Sequence, residues 1–210
     1  VVAPEDGTFQ PRLQDIERAV SGYTKAIILN SPNNPSGMIF PDSFVADLVD
    51  FCERKDLYLI TDDIYHKLVF DGKRAAPAYS FSRKDIDSSR IIVINGISKL
   101  YGMTGFRIGW AVGPRPIVEV MINVQAQTTS CASAILQSAA EGALTGMQSF
   151  VESLRLTIQN NRDVVMQELA GVASLVTARP QGAFYCLPDF RYYGGDSVAL
   201  STFLLKKALV

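Results

Sequence analysis

The segment INGISKLYGMTGFRIGW, residues 94–110, carries two positive charges, Lys99 and Arg107, and no acid. In so apolar a setting each charge needs an anion or a reaction. Lys99 suits either of two jobs: a point charge on a phosphate, or a nucleophilic amine that forms a Schiff base. Arg107 offers a fork of donors matched to phosphate, and the hydroxyls of Ser98 and Thr104 add to it. Gly102, Gly105 and Gly109 let backbone approach a ligand closely. These glycines follow the lysine instead of preceding it, so the segment is not a P-loop. Two other segments carry polar groups that could join such a site. In TDDIYHKL, Asp62 is followed three residues later by Tyr65. An acid there serves a cationic ring nitrogen or a metal, or simply caps a helix. In NSPNNPSG, residues 30–37, Asn34 precedes Pro35, a bond open to the cis isomer that would aim the Asn34 side chain. The plainer reading of that segment is a surface turn.

Each of the three segments follows a short apolar run that reads as a buried strand: AIILN (26–30), LYLITD (57–62) and RIIVING (90–96). RIGWAVG (107–113) reads as a fourth. Between the first two, SFVADLVDFCERKD places Phe44, Leu48, Phe51 and Cys52 at helical spacing, with Ser43 as its N-cap. Strands that are apolar throughout and separated by helices predict an α/β fold, a mostly parallel sheet sandwiched by helices. Ligands of such sheets sit beyond the carboxyl ends of the strands, where all three segments fall. Residues 116–144 read as one long helix or two, with Ile117, Val120, Met121 and Val124 on one stripe, and 149–169 as a further helix. Short strands follow in SLVTARPQGAFYCLPDF, then a turn at Gly194 and Gly195, then a helix beginning at Asp196 or Ser197. The change of character near Gly146 predicts two units: a larger sheet domain over 1–146, and the start of a small α+β domain over 147–210.

With 48% hydrophobic and 20% charged residues, the 210-residue chain has an ordinary globular composition. Its net charge of −1 offers nothing to nucleic acid or a membrane surface, and no apolar run is long enough to span a bilayer. The opening VVAPEDGTFQ lacks the basic and apolar regions of a signal peptide. Cys52, Cys131 and Cys186 are odd in number and far apart, which reads as reduced thiols in a cytosolic protein. Around His66, the single histidine, neither a zinc site nor a Ser-His-Asp triad has supporting spacing, so no metal is expected. The first residue is not Met and STFLLKKALV stops in mid-pattern, so the sequence reads as part of a longer protein.

The strand ends thus supply an amide, an acid with a phenol, and an amine with a guanidinium. Pyridoxal phosphate needs that set: a lysine for its aldehyde, an acid to keep its pyridine nitrogen protonated, donors for its phenolic oxygen, and Arg with hydroxyls for its phosphate. SPNNPSG, DDIY and SKLYGMTGFRIGW stand in the order and approximate spacing of the Asn-Pro-Thr-Gly, Asp-x-x-Tyr and Ser-Lys-x-x-x-x-x-Gly-x-Arg-x-Gly motifs of the fold-type I, class I/II aminotransferases, which the sequence resembles. RPQGAFYCLPDF resembles that family's P-x-G-x-F-Y segment. The resemblance covers the whole chain and is nearest to the bacterial aspartate-aminotransferase-like branch.

The resemblance implies roles at matching positions. Lys99 forms the Schiff base with pyridoxal phosphate and shuttles the proton between the substrate α-carbon and the cofactor's C4′. Asp62 pairs with the pyridinium nitrogen, and Tyr65 donates to the phenolic oxygen. Asn34 does the same and reaches the substrate α-carboxylate. Arg107 binds the phosphate, with Ser98 as the weaker partner. Gly96 stands where many members carry Ser three residues before the lysine, so one phosphate contact is missing or replaced by a backbone N–H. The implied activity moves an amino group between an L-amino acid and a 2-oxo acid. The same motifs occur in pyridoxal-phosphate lyases and synthases, and in the cofactor-sensing modules of transcription regulators. The implied setting is a cytoplasmic homodimer with active sites at its interface. The family's Gly-rich phosphate loop, its stacking aromatic, the Tyr lent across the dimer and the carboxylate-binding Arg all fall outside these residues. Arg155, Arg162 and Arg179 do not match that last position. By itself, then, the 210-residue chain is expected to be inactive.

Overall fold

The computed structural model describes residues 9–194 and 196–208; Gly195 of the expected turn and the outermost residues of both expected domains lie outside them. After a short helix α1 (Leu13–Ala19), the chain runs β1 (Ala26–Asn30), α2 (Asp42–Lys55), β2 (Tyr58–Asp62), β3 (Ile91–Gly96) and β4 (Gly109–Val112). These strands form one sheet in the order β1-β2-β3-β4. The first three are parallel and β4 returns antiparallel to β3. The register pairs Asn30 with Asp62 and Asp62 with Ile94, so the carboxyl ends of the three parallel strands lie level.

The crossover helix α2 forms because Val45, Leu48, Val49, Phe51 and Cys52 recur on one face and are buried there. That face packs on Leu29, Leu59 and Ile91 of the sheet and on Leu57 beside it. The helix starts one residue before the expected cap. Pro41, with φ fixed near −58°, leads into Asp42, and Ser43 lies inside the first turn and caps nothing. Asp42 pairs with Arg74 instead. At the other end Asp56 takes the left-handed conformation and its N–H closes on the Cys52 carbonyl.

The run at 116–144 is two helices, α3 (Arg115–Thr128) and α4 (Ala134–Thr145), parted by Ser130 in the left-handed region. α4 packs Leu136 and Ala140 against Ile97, Ile108 and Trp110 at the end of the β3–β4 hairpin. The stripe on α3 is not core among the described residues: Val120, Met121 and Val124 are all exposed. α5 (Ser149–Ala170) lays Val151, Leu154 and Ile158 on Tyr65, Leu68, Leu100 and Ala183. A two-stranded ribbon, β5 (Val176–Thr177) with β6 (Pro188–Asp189), and α6 (Ser197–Lys207) complete the chain. Asp196 caps α6, its carboxylate accepting from the N–H groups of Val198 and Ala199. No helix among the described residues is long and apolar enough to cross a membrane.

One segment, 180–185, is fastened from several sides. The N–H groups of Gln181 and Gly182 both donate to the Gly37 carbonyl (2.8 and 2.9 Å), and Ala183 donates to Leu68 (2.8 Å). Gly182 must be glycine, since a Cβ there would meet the Leu68 carbonyl at 2.6 Å and the Pro32 ring at 2.7 Å. Pro180 is held through its carbonyl by Arg162 of α5 (3.0 Å). Only 4% of the Arg162 side chain is exposed. Its guanidinium forks onto both oxygens of Asp71 (2.7 and 2.8 Å), reaches Asp163, and lies over the Phe70 ring.

Candidate functional site

The first loop beyond the sheet is held by asparagines. Asn30, the last residue of β1, donates from its amide to the Asp62 carbonyl (2.9 Å) and accepts the Asn34 N–H (2.7 Å). Asn33 closes the loop through its carbonyl, which accepts the Gly37 N–H (2.8 Å), and through its side-chain oxygen, which accepts the Ser36 hydroxyl (2.7 Å). Gly37 sits at φ +69°, which a side chain rarely adopts. Both Ser31–Pro32 and Asn34–Pro35 are cis, as the sequence leaves open for the second. Asn33 and Asn30 are thus consumed by the loop, whereas the Asn34 amide favours the ionised form of the Tyr65 phenol.

Beyond β2 the Asp62 carboxylate accepts the Ile64 N–H (3.3 Å) and starts a turn rather than a helix. That turn brings Tyr65 back over the sheet end, where it is 3% exposed. Its hydroxyl lies 2.5 Å from that of Tyr185, and its ring meets Phe184 and Tyr185 edge-on at 5.3 and 5.6 Å. Burial pushes the Tyr65 phenol above its ordinary range. The Tyr185 hydroxyl and the Asp62 charge push the same way, and the Asn34 amide opposes them. Beyond β3, Ile97 and Leu100 bury their side chains and leave Lys99 between them half-buried. The Lys99 ammonium lies 5.6 Å from the centre of the Phe184 ring. An amide, a carboxylate, a pair of phenols and an amine therefore converge at the carboxyl edge of the parallel strands.

Arg107 stands apart from that group. It is exposed, takes the left-handed conformation (φ 54°), and donates to the Thr104 carbonyl (3.0 Å). The last rung of the β3–β4 hairpin is the Ile97 N–H on the Ile108 carbonyl, so Lys99 and Arg107 leave the same hairpin end. Ser98 is half-buried in that turn. Gly96 is a packing glycine: a Cβ there would lie 2.8 Å from the Ile108 carbonyl. Its own N–H is taken by the Asn95 side chain (2.8 Å), which leaves no donor at that position for an anion.

The sequence places Phe184 and Tyr185 in the P-x-G-x-F-Y segment but assigns them no role. Their signal was the aromatic pair after Gly182, but only the fold brings it to Tyr65. The sequence also leaves His66 without a role. The His66 Nδ1 lies 2.8 Å from the Asp63 carbonyl and 3.1 Å from the Asn95 amide, and burial lowers its pKa. Asp63 is pushed up to about 6, chiefly by burial and further by the charge of Asp62, against an opposing Thr61 hydroxyl. A raised carboxyl pKa means that the folded state binds the proton more tightly, so its stability falls as pH rises from about 4 to about 6. Asp63→Asn in the full-length protein should therefore raise the melting temperature at pH 8 and leave it nearly unchanged at pH 4. Equal changes at both pH values would contradict the burial of this carboxyl.

A parallel sheet whose carboxyl edge gathers Asn34, Asp62, Tyr65 and Lys99 is the architecture of a pyridoxal-phosphate enzyme of the aminotransferase type. The family model for aminotransferase class I and II matches residues 2–210, and the chain belongs to that family, whose members use pyridoxal phosphate. It is 37% identical over 209 residues to the probable aspartate/prephenate aminotransferase of Aquifex aeolicus, covering 96% of this chain and 52% of that protein. It is 36% identical over 187 residues to the asparagine–oxo-acid transaminase of Streptococcus mutans, covering 89% and 47%. Among solved structures it superimposes on the aromatic aminotransferase of Pyrococcus horikoshii with a TM-score of 0.92 at 31% identity, covering 99% of this chain and 55% of that one. The chain spans about half the length of the curated relatives it matches.

Proposed function

We propose that the full-length protein transfers an amino group between an L-amino acid and a 2-oxo acid, with pyridoxal phosphate held at the carboxyl edge of β1, β2 and β3. The observation that carries this reading is the convergence of Lys99, Phe184, Tyr185, Tyr65 and Asn34 beside Asp62. The chemistry of that donor set fits the cofactor. Bound there, pyridoxal phosphate supplies an electron sink for the carbanion at the substrate α-carbon.

The side chains divide the remaining work. Lys99 supplies the amine that attaches the cofactor and then carries the α-proton. Asp62 keeps a ring nitrogen protonated, and its carboxylate is fixed for this by the Ile64 N–H. Tyr65 and Asn34 donate to a phenolic oxygen, and Asn34 also reaches the substrate carboxylate. Arg107 gives its guanidinium to the phosphate, with Ser98 beside it. That role requires Arg107 to turn from the Thr104 carbonyl, its partner here. The protein works in the cytoplasm as a homodimer. Residues 1–146 form the larger of its two units, and 147–210 begin the smaller.

Relatives named for aspartate, asparagine and aromatic amino acids define the first donors to try, and the name aspartate/prephenate aminotransferase adds prephenate as a 2-oxo acid acceptor. The test is a half-reaction screen: full-length protein carrying pyridoxal phosphate is mixed with each amino acid, without a 2-oxo acid. Stoichiometric release of the matching 2-oxo acid is expected for at least one donor. Release of pyruvate, ammonia or another elimination product in its place would make the protein a lyase.

A further inference from the structure

Lys99 sits in a turn that its own backbone holds weakly. The bonds that close the turn are long. The Ile97 N–H reaches the Ile108 carbonyl and the Tyr101 N–H the Ile97 carbonyl at 3.3 Å, and the Gly102 N–H reaches the Lys99 carbonyl at 3.4 Å. Side chains must therefore fix the turn. Ile97 and Leu100 do so by burial. Tyr101, half-buried, packs between two clusters of the core, one holding Ala140 of α4 and the other Val151 of α5. Its hydroxyl then donates to the side-chain oxygen of Gln148 (2.9 Å), 47 residues away in sequence.

The rest of the amide fixes the direction of that bond. The Gln148 nitrogen lies 2.8 Å from the Gly146 carbonyl, 3.1 Å from that of Ala143 and 3.3 Å from that of Leu144. Carbonyls only accept, so the nitrogen faces them, the oxygen faces Tyr101, and the phenol gives its proton. One amide thus gathers the end of α4, the start of α5 and the lysine turn. We propose that Gln148 is a positioning residue for Lys99, acting through the Tyr101 phenol. It ties the lysine turn to the joint between α4 and α5, where the two proposed units meet. The inference rests on the reading given above for Lys99. An amine that must reach both the cofactor and the substrate α-carbon loses rate steeply when it is displaced.

The test follows a single turnover of the full-length protein loaded with pyridoxal phosphate, using the donor from the half-reaction screen and the cofactor's absorbance. Rate constant and amplitude are read for wild type, Tyr101→Phe, Gln148→Leu, the double variant and Lys99→Ala. Tyr101→Phe keeps the ring and removes only the hydroxyl. Its rate constant falls about three- to tenfold at wild-type amplitude. Gln148→Leu falls at least as far, and the double variant no further than Gln148→Leu, because the two side chains act through one bond. An unchanged rate constant in Tyr101→Phe, with or without a smaller amplitude, overturns the proposal and leaves the contact purely structural. Effects that multiply in the double variant overturn it too. An undiminished rate constant in Lys99→Ala overturns the reading of Lys99 itself.

Discussion

Lys99→Ala in the full-length protein is expected to lower transamination by roughly three orders of magnitude or more, while the fold is kept. The side chain is half-buried and its recorded neighbour is the face of Phe184, so alanine leaves little unsatisfied. Its loss removes two functions at once, the amine that attaches the cofactor and the base that moves the α-proton. Lys99→Arg separates charge from nucleophilicity. It retains a cation near Phe184 but no amine able to condense with an aldehyde, so it should be as inactive as alanine. Steady-state rates with the donor found in the half-reaction screen provide the measurement. Activity within tenfold of wild type in either variant would show that another group performs both tasks. Restored activity in Lys99→Arg alone would reduce Lys99 to a point charge on phosphate.

Arg162→Met is expected to be the most damaging change outside the site, destabilising the full-length protein by about 2–3 kcal/mol. The guanidinium is buried, yet Asp71 and Asp163 keep 41% and 43% of their side-chain surface in water. Both acids can therefore be hydrated when the cation is gone, which places the cost below that of breaking a fully buried pair. The larger loss is the Pro180 carbonyl, which gives up its guanidinium partner, together with the stack on Phe70. Asp71→Asn should cost less, because Arg162 retains Asp163 and Pro180. Urea unfolding measures both. An Arg162→Met variant within about 0.5 kcal/mol of wild type would show that the clamp does not hold segment 180–185 in place.

The parts of the site written in contiguous motifs were legible in the sequence. Asn34, Asp62 and Lys99 each follow an apolar β-branched run, and the rule that ligands sit beyond strand ends gathers them without further information. Tyr65 came with them because a tight turn follows Asp62. Phe184 and Tyr185 were quoted as a motif but could not be placed, since their position depends on pairing with backbone at Gly37 and Leu68, far away in sequence. In the sequence Arg162 is no match for the carboxylate-binding arginine and has no other role. Its burial follows from where Asp71 and Pro180 arrive, which no local pattern encodes. The helix pair at 116–144 shows the opposite failing. Its apolar stripe was read correctly from spacing, but spacing does not say what covers a stripe, and Val120 and Val124 face outward among the described residues. Ser43 lost its expected cap because Pro41 starts the helix one residue earlier.

The central claim is that Lys99 attaches pyridoxal phosphate. Reduction of the loaded full-length protein with borohydride, followed by proteolysis and peptide mapping, tests it most directly. One equivalent of reduced cofactor on the peptide containing Lys99, and none on it in Lys99→Ala, is the expected result. Cofactor fixed to a different lysine in the wild-type protein, or none fixed at all, would contradict it.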